Sequence, residues 1–541
     1  MTMILMKLRE RMQGKFSKFL GFKSIYILLF IVLTYLLVII FVVVPTQGGT
    51  TFSSELIPTN GTAYEEILPL QEFLGKQGRS VIIATVMLSH VLFANLHLGG
   101  SWVASATESL YIKTKKERYN RLAKSITLFN VMLFSAGATF AIAGVLAFVS
   151  LYPTFASNLF HIYWWPLLAE AIAFALEILF LYTYWFTWGK IKNGWHQFLG
   201  YSYAVAVFIQ TLLINMVASG MLTPGAEAIT WGSAGALTMP FSEFMSWWFN
   251  ATTWRLQFHR IFAAISYTGF LVAMLAMFHF QDRKEESARK YWDWVGSYGV
   301  SWGLVGLIMQ PIFGLIYMLA IFDAEENAFL MIMHGPRAWE MLLMVTLLST
   351  LFLVLILYFI NRRERILSQH ENQFLSKLFK GFLVVAAICA VILVQPAWFG
   401  ANSIDDPGAI ENPLGIMDLK YPALLILVLI GTALLMLDWI MLSDMKESEW
   451  GELSVTSRVC LTITGLLGMF IVVVMGFVRE SARSPWVIYN IIPIPESMTH
   501  PTPVSLGRIM GVWLIITLII LAIFWFTSKV TAHHPEKAET I

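Results

Sequence analysis

Long apolar runs alternate with short polar connections along nearly the whole chain. A run of about 18 or more apolar residues is long enough to cross a bilayer core of ~30 Å as a helix. Such runs fall near 24–44, 80–111, 123–150, 161–188, 197–219, 256–280, 293–321, 338–360, 378–397, 421–442, 456–478 and 505–527, twelve in all. The pattern predicts an all-α fold, a polytopic membrane helical bundle. The connections assign its sides. The N-terminal tail carries Lys7, Arg9, Arg11, Lys15, Lys18 and Lys23, and every second loop after it is basic: Lys113 to Arg121, Lys190 and Lys192, Arg283 to Lys290, Arg362 to Arg365. The alternate loops are acidic or neutral, as in Glu55 to Glu66, Asp323 to Glu326 and Asp405 to Asp418. Cationic loops stay in the cytoplasm, so both termini are expected there, in agreement with an even number of spans.

Composition narrows the classes. Of 541 residues, 57% are hydrophobic and 13% charged, against about 25% charged in soluble domains. A net charge of +2 gives no electrostatic footprint for nucleic acid. Cys389 and Cys460 lie inside apolar runs and read as small core hydrophobes. Neither a G-x-x-x-x-G-K-[ST] phosphate loop nor a C-x-x-C-H haem-attachment motif occurs, which argues against nucleotide chemistry and covalent c-type haem.

A charge at the centre of a span costs about 2.5–3.5 kcal/mol or more, so each intramembrane ionisable residue is a functional candidate. The second span holds His90, His97 and Glu108, and the fourth holds Glu170 and Glu177. A separation of seven residues is two helical turns, so the members of each pair share a face about 10 Å apart. His259 and Arg260 open the sixth span, Glu243 precedes it, Asp438 lies in the tenth, and Arg479, Glu480 and Arg483 end the eleventh. Alternating span direction puts His90, His259 and Glu480 toward the outer side. Imidazole and carboxylate are ligand types for haem iron or a transition metal. Structural roles compete: interhelical hydrogen bonding for a lone His, an interfacial ion pair for Glu480, and core packing for Met331, Met333, Met341 and Met344.

Several motifs together resemble subunit I of the cytochrome bd oxidases. Ser89-His90-Val91-Leu92-Phe93, followed by Leu98-Gly99, Ser101, Glu108 and Tyr111, is similar to that family's first helix. Pro166-Leu167-Leu168-Ala169-Glu170 and Phe174-Ala175-Leu176-Glu177 are similar to its third. Ser219-Gly220-Met221 and Pro224-Gly225 follow, then Phe241-Ser242-Glu243, Phe258-His259 and Tyr267-x-Gly269. Phe477-Val478-Arg479-Glu480-Ser481-Ala482-Arg483-Ser484-Pro485-Trp486 resembles the family's Phe-Val-x-Glu-x-Gly-Arg-Gln-Pro-Trp signature. Five landmarks thus recur in the family's order across about 400 residues.

The resemblance implies roles. His90 and Glu480 would be axial ligands of two high-spin haems and His259 a ligand of the low-spin haem, all three binding metal. Arg483 and Trp486 would pack on propionates or ring faces. Glu108, Glu170 and Glu177 would carry protons from the cytoplasm. Two or three haems are implied, haem b with haem d as an alternative. The family's methionine partner for the low-spin haem has no counterpart between Ala423 and Leu435, where counting back from Glu480 lands. The family's long quinol-binding loop is replaced by spans near 338–360 and 378–397, and one N-terminal span is added. The implied organisation is an N-terminal region 1–78, a bd-like core 79–321, a replacement segment 322–420, C-terminal bd-like helices 421–530 and a tail 531–541.

The function implied is reduction of O₂ to water in a prokaryotic inner (cytoplasmic) membrane, with Arg483 beside the proton-carrying glutamates at the site. The electron donor would be cytochrome c or quinol, and the partners membrane lipids with a second bd-like subunit or other respiratory-complex subunits. A haem-binding relay or scaffold in a larger complex is the alternative. A transporter would fit the twelve spans and buried carboxylates, but not the ordered landmarks.

Overall fold

In the computed structural model, the apolar runs become long helices. It describes residues 69–225, 230–231, 237–238, 248, 250–334, 337–367, 373–395, 414, 417–444, 450–484, 486–493 and 503–538. The run near 24–44 and the Phe241-Ser242-Glu243 motif lie outside them. Thirteen helices follow one another: α1 (Pro69–Thr114), α2 (Glu117–Leu151), α3 (Pro153–Ile162), α4 (Trp164–Phe186), α5 (Asn193–Leu222), α6 (Thr253–Asp282), α7 (Glu286–Ala324), α8 (Glu326–Met333), α9 (Ala338–Leu367), α10 (Gln373–Val394), α11 (Lys420–Asp444), α12 (Val455–Ala482) and α13 (Pro503–Ala538). Among the described residues, 11 helices are long and apolar enough to cross a membrane, one for each remaining predicted run. The protein is a multi-pass membrane protein. Its described strands form two short antiparallel ladders, β1 (Thr230–Trp231) with β2 (Leu237–Thr238) and β3 (Trp486–Ile488) with β4 (Ile492–Pro493).

Without a hydrophobic driving force between helices in lipid, association rests on close packing at small residues. The α6–α7 seam shows this. A Cβ on Gly269 would collide with the backbone of Gly303 and Gly299, and one on Gly306 with the backbone of Phe262 and Ser266. Gly99 lets α1 approach α6 in the same way, against the Ala264 carbonyl. These contacts fix α1, which carries His90 and His97, beside α6, which carries His259 and Arg260.

Helices far apart in sequence complete the bundle. α12 packs on both α6 and α9, and α10 and α11 flank α9 and α7. Residues 325–337, including the single short helix α8, join α7 to α9. A buried ion pair ties the ends of α7 and α9 together: Arg362 Nη1 lies 3.3 Å from Asp293 Oδ1. Asp293 Oδ2 accepts from the Gly451 amide at 2.9 Å, and the guanidinium lies 4.9 Å from the Trp450 ring centroid. α12 starts on a capped turn, with Ser454 Oγ accepting from the Ser457 amide at 3.0 Å.

Candidate functional site

α1, α2, α4, α5, α6, α7, α9, α11 and α12 line a cavity of 1730 Å³. That exceeds the ~300–1,000 Å³ of a single small-molecule pocket, so it has room for more than one large planar group. His90, Glu170, Glu177, His259, Glu480, Arg483 and Trp486 all line it. Glu108 does not line it.

Each imidazole is set by its helix and a neighbour. His90 Nδ1 lies 3.0 Å from the Gly137 carbonyl, which can only accept, so Nδ1 carries the hydrogen and Nε2 keeps its lone pair. This is the tautomer control usual for a metal-binding histidine. On α6, Gln310 Nε2 donates to the His259 carbonyl at 2.6 Å. Gly314 of α7 faces the ring: a Cβ there would come within 3.1 Å of His259 Cε1. His259 Nδ1 is buried with no hydrogen-bond partner among the described residues.

At the end of α12, Glu480 is held by two guanidiniums. Arg479 Nη2 donates to Oε1 at 2.7 Å, and Arg483 Nη2 donates to Oε2. Arg483 is the C-cap, and its Nη1 donates to the Val487 carbonyl at 2.6 Å, so the short β3–β4 ladder holds the arginine that holds the carboxylate. Tyr163, between α3 and α4, is fully buried. Burial pushes its phenol above the ordinary range, with the Arg483 charge acting downward. On α9, Glu340 is buried, and Arg337 lies 3.5 Å from its Oε1.

Two groups of proton-active side chains are built by α1, α4 and α5, and the second lies toward the end of the bundle formed by Lys113 to Arg121. In the first, Glu170 Oε1 accepts from Gln210 Nε2 at 3.0 Å, and Glu177 Oε1 lies 3.6 Å from His97 Nδ1. His97 Nδ1 also contacts Tyr203 Oη at 3.1 Å, and Asn130 Nδ2 donates to that phenol at 3.3 Å. In the second, Glu108 Oε2 accepts from Tyr184 Oη at 2.7 Å, and Oε1 lies 2.5 Å from His196 Nδ1. His196 Nε2 lies 3.0 Å from the Tyr184 carbonyl. A carbonyl only accepts, so Nε2 carries a hydrogen, and Nδ1 faces the Glu108 carboxylate.

The sequence alone did not single out His196, Tyr184, Tyr203 or Gln210. His196 stands in Asn193-Gly194-Trp195-His196, which looks like a polar connection; its only signal was being a lone histidine at a span end. His97 was visible by its spacing, without a partner to give it a role.

Among the described residues no group of three or more His, Cys, Asp or Glu gathers as a free-ion site. Single imidazoles and one carboxylate around a large apolar cavity, two of the imidazoles buried with an unmatched ring nitrogen (His97 Nε2 and His259 Nδ1), instead fit macrocycles that bring four of their own metal donors.

Residues 79–334 match the family described as cytochrome bd terminal oxidase subunit I. Two Bacillus subtilis (strain 168) proteins are similar. A candidate cytochrome bd menaquinol oxidase subunit I is 26% identical over 262 residues, 47% of this chain and 55% of that protein. Cytochrome bd ubiquinol oxidase subunit 1 is 24% identical over 203 residues, 37% of this chain and 42% of that protein. The chain thus spans about half the length of these relatives. The fold is similar to that of bd oxidase from Geobacillus thermodenitrificans, with a TM-score of 0.52 at 15% identity, over 84% of this chain and 98% of the other. The ordered motifs, the matched segment and the shared fold agree: residues 79–334 of this chain are a segment of the cytochrome bd oxidase subunit I family.

Proposed function

We propose that the chain is a haem-binding subunit of a bd-type terminal oxidase that reduces O₂ to water. The observation that carries this is one cavity lined by His90, His259 and Glu480 together with Glu170 and Glu177. Haem would supply the redox-active iron. His90 offers Nε2, His259 an imidazole against the glycine-thinned wall of α7, and Glu480 a carboxylate paired with Arg479 and Arg483. Trp486 adds an aromatic wall.

The protein's own share of the reaction is proton delivery. Glu108 with His196 takes up a proton at the end bearing the basic loops, which we assign to the cytoplasm. Glu177 with His97, and Glu170 with Gln210, hold protons nearer the cavity. Protons drawn from one side only make the reaction charge-separating.

The packing also suggests a sixth ligand. α9 lies directly on α12 and brings Met341 and Met344 to the cavity wall, so α9 would fill the place of the family's methionine helix. α10 and α11 are then the inserted pair, a different division from one that inserts the spans near 338–360 and 378–397.

A purified preparation should show b- or d-type bands in a reduced-minus-oxidised spectrum and consume O₂. A preparation without haem would end the reading. The short α7–α9 connection favours a second reading, a relay that passes electrons within a larger complex. Pigmented protein that consumes no O₂ with either a quinol or a reduced soluble cytochrome would select the relay.

A further inference from the structure

Arg260 has no role in anything described above. It follows His259 on α6 and lines the same cavity. Its Nε donates to Asn95 Oδ1 at 3.2 Å and its Nη1 to Asn215 Oδ1 at 2.8 Å. Asn215 is in turn fixed by donating to Gln257 Oε1 at 2.6 Å, and Gln257 donates to the Phe208 carbonyl at 3.0 Å. The guanidinium is therefore pinned by neutral amides from α1 and α5, and no carboxylate among the described residues pairs with it.

Its neighbours on the wall contrast with it. Arg337 pairs with Glu340, and Arg479 and Arg483 both pair with Glu480. The charged group in its electrostatic reach is Arg479, another guanidinium, whose own carboxylate partner is Glu480. A charge taken out of water without a partner is costly, and amide oxygens orient a guanidinium without neutralising it. Such an arrangement suits a group that arrives with its own negative charge. Guanidinium matches carboxylate geometry, with two parallel N–H donors for two oxygens.

We propose that Arg260 is a carboxylate-binding residue that receives a peripheral carboxylate of the macrocycle held by His90 or His259. It anchors the pigment there and raises its midpoint potential, since a nearby positive charge favours the reduced state. The inference rests on the haem reading of the cavity.

The test uses the full chain, purified with whatever membrane subunits accompany it. The wild type, Arg260→Gln, Arg260→Lys and Asn215→Asp are compared by spectroelectrochemical titration and by pigment retained after detergent washing. Arg260→Gln should shift the potential of one pigment downward and lose pigment, while Arg260→Lys should keep most of the potential. Asn215→Asp keeps the guanidinium but gives it an internal counter-charge, so it should also lower the potential. It decides the matter if Arg260→Gln does not accumulate.

Wild-type protein with bands, and unchanged potentials in both Arg260→Gln and Asn215→Asp, would overturn this proposal while leaving the oxidase reading intact. Wild-type protein without bands would overturn both, before any substitution is made. If added acetate shifts the wild-type potential, Arg260→Gln abolishes that response and pigment retention is unchanged, the guanidinium serves a diffusible anion and the assignment to the macrocycle fails.

Discussion

At the scale of single residues, His90 and Glu108 stand for two kinds of chemistry that the structure separates. His90 lines the cavity, and its Nδ1 is engaged by a carbonyl. His90→Ala should therefore remove one high-spin component from the visible spectrum and leave the low-spin bands. His259→Ala should do the reverse, so spectra of the two variants test the assignment pairwise. Glu108 does not line the cavity and contacts His196. Glu108→Gln should leave the spectrum unchanged and slow O₂ consumption by about 10²-fold or more, the usual size of a general acid–base contribution. Helical spacing alone placed His90, His97, Glu170 and Glu177 on coherent faces. It could not reveal Glu108's partners, because His196 and Tyr184 lie on two other helices, 88 and 76 residues away.

At the scale of elements, the α7–α9 latch and the α6–α7 seam make opposite demands. Asp293 and Arg362 are a buried pair, and breaking such a pair typically costs about 3–5 kcal/mol because one charge stays buried alone. Arg362→Leu should lower thermal stability in detergent by that order, and the double variant with Asp293→Leu should recover much of the loss. The glycine seam has no room to spare. Gly269→Ala forces a methyl group into the backbone of α7, at least the ~1–3 kcal/mol of ordinary overpacking, and should lower the melting temperature and loosen the approach of α6 to α7. Hydropathy made eleven helices legible, since an apolar run of bilayer length has few other fates. Their neighbours were not legible. Counting back along the sequence from Glu480 leads to α11, whereas α12 packs on α9, and the choice depends on side-chain shape at the seam. The turn after α12 was likewise invisible, because a ladder as short as β3–β4 leaves no periodic trace.

For the whole molecule, the charge pattern of the loops gives a prediction that the helices do not test. Single cysteines placed at Lys115 and Lys190 should resist a membrane-impermeant thiol reagent added to intact cells. One placed at Asp323 should react. The reverse pattern would turn the proton route around. The matched relatives and the shared fold agree with the ordered motifs on the family.

The cavity wall includes side chains that also face outward. Leu315 and Leu319 of α7 and Leu425 and Leu429 of α11 line it while remaining 45–60% exposed. Where the chain meets lipid, such a seam opens sideways, within the plane of the bilayer. Nonpolar gases dissolve better in hydrocarbon than in water, so the surrounding acyl chains become the reservoir from which the interior fills. Stiffening those chains, by fatty-acid composition or by cooling, should then slow uptake at low oxygen tension more than it slows turnover at saturation.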